Sequence, residues 1–104
     1  MFPESIVILG YSFALEFVDT LPSDQMGESC IGERYIRIKS GLRDDVALEV
    51  FYHELTHCFL DITGVGHILT EDQNEAIAQA MGACLTLYVS RNEVPAIRGS
   101  NEQN

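Results

Sequence analysis

His53-Glu54-Leu55-Thr56-His57 gives the chain the pattern H-E-x-x-H. Two histidines four residues apart on a helix project from the same side, one turn apart. Their imidazoles can then converge on one Zn²⁺. Glu54 is offset by about 100° around the helix from His53. That keeps it out of the ligand pair but within reach of a water on the metal. Zinc lowers the pKa of such a water to about 7, and a base must then take its proton. The chemistry open to these residues is hydrolysis by a metal-activated water, with Glu54 as the general base.

The plainer reading is a helix with two surface histidines, one of them paired with Glu54. The flanks oppose it. Val46, Val50, His53 and His57 fall on one side of the expected helix, and Leu48, Phe51 or Tyr52, Leu55, Phe59 and Ile62 form a second stripe at helical spacing. A helix that is apolar nearly all round is buried. Histidines within it need partners, and a metal would supply them.

Catalytic zinc takes three protein ligands and a water. His67, Glu71 and Glu75 are the candidates for the third ligand. His67 lies in a connector, away from the place that H-E-x-x-H-x-x-G-x-x-H requires, where Leu60 and Thr63 stand. Glu71 opens the second helix, where the helix dipole and a capping box already account for its charge. Glu75 lies one turn further in, on a line with Ala78 and Gly82. Small residues along that line let a second helix approach closely and bring a carboxylate onto the metal. Glu75 is therefore favoured.

Several elements must position these groups. Ser5 to Leu9 reads as a strand. Ser12 to Asp19 reads as a second, with Phe13, Leu15 and Phe17 on one face; Gly10-Tyr11 between them is a bulge or a tight turn. Leu21 to Gly27 is a loop, Glu28 to Ile31 a short strand, and Gly32-Glu33 a turn. Tyr35 to Lys39 alternates again, Ile36 and Ile38 inward, Arg37 and Lys39 outward as a charged edge that blocks further pairing or, on the sharper reading, recruits a peptide. A helix spans about Arg43 to Thr63, with Asp44 and Asp45 in its first turn and Gly64 as its stop. Thr70-Glu71-Asp72-Gln73 is a capping box for a helix over about Glu71 to Val89. On it, Ile77, Met81, Leu85 and Tyr88 read as core. One domain over 1–90 and a frayed tail over 91–104 follow.

The 104 residues suffice for one modest core. A net charge of −10 argues against a nucleic-acid backbone or an anionic membrane as partner, and favours a basic peptide or protein surface. No stretch approaches the ~20 apolar residues of a membrane span, and Met1 to Glu4 carries no positive charge of the kind that opens a signal peptide. Cys30, Cys58 and Cys84 do not form a disulfide framework. They read as reduced thiols of a cytoplasmic protein, with Cys58 and Cys84 in the core.

At His53-Glu54-Leu55-Thr56-His57, with Asp61 and Gly64 beyond, the sequence resembles the active-site helix of thermolysin-type gluzincin metallopeptidases. Asn74-Glu75-Ala76-Ile77 is similar to their second motif, N-E-x-x-x-D, whose glutamate binds zinc. The resemblance covers about residues 46 to 80. It implies Glu75 as third ligand and Glu54 as base. The order of strands and helices also resembles small minimal zincins of phages and prophages. Gln79 departs from the pattern, standing where an acidic residue orients a zinc-bound histidine. The large C-terminal region that supplies transition-state donors in those enzymes has no counterpart, leaving Tyr11, Tyr35 or Tyr52 as replacements. Asp61 reads either as a partner of a ligand or as an acid at a helix end.

The expected fold is α+β, a zincin-like minimal domain. A small, twisted, mostly antiparallel sheet packs on the H-E-x-x-H helix, and a second helix carries the third ligand. The expected function is a zinc metallopeptidase acting on a peptide or protein. The alternative is a catalytically silent zincin-like binding or regulatory module that holds zinc as a structural staple.

Overall fold

The structure is a computed structural model that describes residues 2–91, with side chains to Val89. The tail expected over 91–104 lies outside the described residues, apart from Arg91, which ends the second helix. The fold is α+β. Strands β1 (Ser5–Ile8), β2 (Tyr11–Val18), β3 (Gly27–Cys30) and β4 (Tyr35–Lys39) precede helices α1 (Asp44–Thr63) and α2 (Glu71–Arg91). Single 3-10 turns lie at Pro22–Asp24 and Val65–Ile68.

The strands form one mixed sheet in the order β1-β2-β4-β3. β1/β2 and β3/β4 are antiparallel, while β2/β4 is parallel. The β1/β2 connection is a tight turn, not a bulge: Ile8 pairs with Tyr11, and Leu9 and Gly10 take φ values of 49° and 87°. Two positive-φ residues fit the right-handed twist of a hairpin.

β4 corrects one expectation. It is interior, paired on both sides, so it is neither a charged edge nor a free strand for a peptide. Arg37 instead bridges the outer face, 2.8 Å from Glu16 on β2 and 3.5 Å from Glu28 on β3. β1 and β3 are the edges.

Ile8, Phe13, Leu15, Ile36 and Ile38 from the sheet and Ala47 and Cys58 from α1 form the core. Phe17 continues the inward face of β2 but is 46% exposed; its ring packs on Phe2, 5.4 Å between centroids. α1 is less deeply buried than its apolar stripes suggest. Ala47, Glu54, Cys58 and Leu60 are buried, while Phe59 is exposed. Gly64 ends α1 at φ 84°, its N–H donating to the Asp61 carbonyl. Both arms of the capping box form: Gln73 N–H to Thr70 Oγ1 at 3.1 Å, and Thr70 N–H to Gln73 Oε1 at 2.9 Å.

α2 packs on α1 through small residues. Ala78 is fully buried. A Cβ added at Gly82 would lie 3.1 Å from the Glu49 carbonyl oxygen and 3.3 Å from the His53 backbone nitrogen. The other side of α2 carries exposed apolar residues among the described ones. Ile77, Met81, Tyr88 and Cys84 are exposed, not core as expected. Together with Val7, Leu9 and Phe59 they leave much apolar surface uncovered. Among the described residues, no helix is long and apolar enough to cross a membrane.

Candidate metal centre

The α1/α2 seam delivers the site. Gly82 presses α2 against the α1 backbone at His53, and Glu75 lies two turns earlier on α2, facing the pair His53 and His57. One oxygen of its carboxylate is 3.0 Å from His53 Nε2, and the other is 3.0 Å from His57 Nε2. The two Nε2 atoms are 3.2 Å apart. Among the described residues, His53, His57 and Glu75 form the group able to hold a metal ion, their ligand atoms all within 4.8 Å of one another.

The donor set fits a cation on chemical grounds. His57 Nδ1–H donates to Asn74 Oδ1 at 2.7 Å. A neutral imidazole with its proton on Nδ1 presents a bare lone pair at Nε2. His57 Nε2 faces the His53 nitrogen and a Glu75 carboxylate oxygen, and either a proton or a metal cation between them makes these contacts favourable. Two imidazoles and one carboxylate are a set able to bind a divalent cation, and the Asn74 carboxamide holds the His57 ring as an outer partner does in metal centres.

Glu54 lies beside this group and is buried. Burial pushes its carboxyl above the ordinary value; a hydrogen bond from Ser29 and the two imidazoles oppose the rise, and Glu75 adds to it. Ser29 reaches it because β3 pairs Ser29 with the inward-facing Ile36. Gly27, two residues earlier, keeps β3 close: a Cβ there would lie 3.3 Å from Glu54 Cγ and collide with Val50. Cys58, one turn beyond Glu54, is fully buried, and desolvation pushes its thiol up to about 11. It is a neutral packing group there.

The other candidate ligands fall elsewhere. His67 Nε2 pairs with Asp61 at 3.3 Å, past the end of the histidine pair. Neither His67 nor Asp61 belongs to the group that His53, His57 and Glu75 form among the described residues. Glu71 is exposed in the first turn of α2 and belongs to no metal-binding group among the described residues. Gln79 hydrogen-bonds neither histidine among the described residues; Asn74 does the orienting instead. Asn74 stood in the sequence as part of a motif, but its role needed the crossing of the two helices. Ser29 had one signal, a polar residue at an inward strand position.

A cleft of about 430 Å³ opens beside His53 and Glu54, between the 25–27 segment, α1 and Gln79 of α2. None of the three candidate tyrosines lines it. Tyr11 lies under Arg34, whose guanidinium carbon is 4.3 Å from the ring centre. Tyr35 faces outward and donates to Glu28. Tyr52 packs on Phe51. Comparison with protein-family models, curated proteins and solved structures gives no match, so the reading of this centre rests on its own geometry.

Proposed function

We propose that the chain is a small zinc-dependent metallopeptidase of the zincin type. The observation that carries this reading is the convergence of His53, His57 and Glu75 within 4.8 Å, with a buried carboxylate, Glu54, one residue from the first ligand. His53, His57 and Glu75 would hold the ion, leaving the fourth position to solvent. Zinc, when bound, would polarise a scissile carbonyl and acidify its water. Glu54 would accept a proton from an attacking water and pass it to the leaving amine. Its raised affinity for a proton suits the second task. Asn74 keeps the His57 ring oriented. β3 is an edge strand among the described residues, with Gly27 beside Glu54, and its outer side would offer backbone groups to an extended peptide. Gln25 and Gln79 line the cleft and are its neutral hydrogen-bond donors.

The absence of a tyrosine or a cationic side chain from the described cleft lining favours the second reading, a silent module that holds zinc without turnover. A purely structural site has no need of a buried Glu54. Zinc-loaded wild-type protein and Glu54→Gln, assayed on a denatured protein library, separate the two. The metallopeptidase cleaves, and Glu54→Gln retains zinc but loses cleavage by at least about 10²-fold. Equal cleavage by both proteins would remove Glu54 from the role of base, and no cleavage by either would leave the silent module.

A further inference from the structure

The cleft beside the metal centre is amphipathic in a specific way. Met26, Val46 and Val50 supply apolar wall, and Glu49 supplies a carboxylate. Glu49 is one turn before His53, so it lies on the same side of α1 as the metal ligand. It is the one ionisable side chain lining the cleft besides His53 and Glu54.

Glu49 is half-buried and has no ion-pair partner among the described residues. Among the described side chains, each lysine and arginine lies against another group. Arg37 pairs with Glu16 and Glu28, Lys39 with Asp24 and Arg43 with Asp45. Arg34 lies over the ring of Tyr11. Among the described residues this half-buried carboxylate at the side of an apolar slot has no cation beside it, and a ligand can bring one. The net charge of −10 draws positively charged ligands toward the surface.

We infer that this cleft is a specificity pocket for a lysine or arginine side chain of a peptide lying across the metal centre. The aliphatic stem would lie against Met26, Val46 and Val50, and the cationic head would meet Glu49, as long basic side chains do where an apolar wall ends in a charge. The inference rests on the peptidase reading for the position of the peptide.

The test uses zinc-loaded Glu54→Gln protein and labelled peptides that differ at one residue, lysine, norleucine or glutamate, placed in turn at each position of an otherwise neutral sequence. Affinity is read by fluorescence anisotropy. At one position lysine binds about five-fold tighter than norleucine, as befits a partly exposed ion pair, and glutamate binds weakest. Adding Glu49→Gln removes the lysine advantage, and Glu49→Lys moves the preference to glutamate. Zinc content checks that both variants keep the centre.

Equal binding of lysine and norleucine at every position, or a lysine advantage that survives Glu49→Gln, overturns the pocket. Wild-type cleavage is scored separately on the same peptides. Cleavage without basic preference leaves the peptidase and removes the pocket. Selective binding through Glu49 without cleavage leaves the pocket and removes the peptidase.

Discussion

His57 on α1 and Asn74 on α2 are joined by a 2.7 Å hydrogen bond from Nδ1–H to the carboxamide oxygen. This contact links the two helices and sets which nitrogen of His57 faces His53 and Glu75. Removing it frees the ring to turn and to change tautomer. Asn74→Ala should therefore weaken zinc binding about 10- to 100-fold with little loss of helix content. Asn74→Asp, which keeps an acceptor and adds charge, should bind at least as tightly as wild type. Competition against a chromogenic chelator measures all three proteins.

Gly82 sets how closely α2 approaches the histidine. A Cβ at this position already lies 3.1 Å from the Glu49 carbonyl oxygen, so a larger side chain must push the helices apart. Gly82→Leu should destabilise the metal-free protein by about 1–3 kcal/mol. It should also weaken zinc binding, because Glu75 withdraws with its helix. Urea unfolding and zinc titration of the same sample check both effects. Loss of stability with unchanged zinc affinity would show that the Glu75 position does not depend on this seam.

Glu54 carries a cost in the metal-free protein. Its carboxyl titrates above the ordinary value because it is buried, so the native state holds its proton more firmly than the unfolded chain does. Where the native state binds more protons, stability falls as pH rises. The favourable contribution is complete below the ordinary carboxyl value and is lost as pH rises through the native one. Glu54→Gln should therefore raise the melting temperature of metal-free protein at pH 7, and the gain should vanish near pH 4. A gain that did not vary with pH would point to packing rather than charge.

Much of this was legible in the sequence because it depends on local rules. The ends of α1 and α2 follow from Gly64 and from the Thr70–Gln73 box, and the approach of Glu75 follows from the Ala78–Gly82 line. Strand order was not legible. Arg37 and Lys39 alternate outward whether β4 is an edge or an interior strand, and their partners Glu16, Glu28 and Asp24 lie on segments brought alongside by the fold. Ile77, Met81 and Tyr88 have core composition and helical spacing, yet α2 packs on one side, through its small residues. Composition marks an apolar face; it does not say whether an element lies opposite to cover it. The orienting role of Asn74 belongs to the same class, since it exists only where two helices cross.

The account depends on His53, His57 and Glu75 acting together on one divalent cation. Calorimetric titration of zinc into metal-free wild type, Glu75→Ala, Glu71→Ala and His67→Ala tests this most directly. One zinc per chain is expected for wild type, with unchanged affinity in Glu71→Ala and His67→Ala and a loss of about 10²-fold or more in Glu75→Ala. Wild-type affinity in Glu75→Ala, or no zinc bound by wild type, would contradict the account.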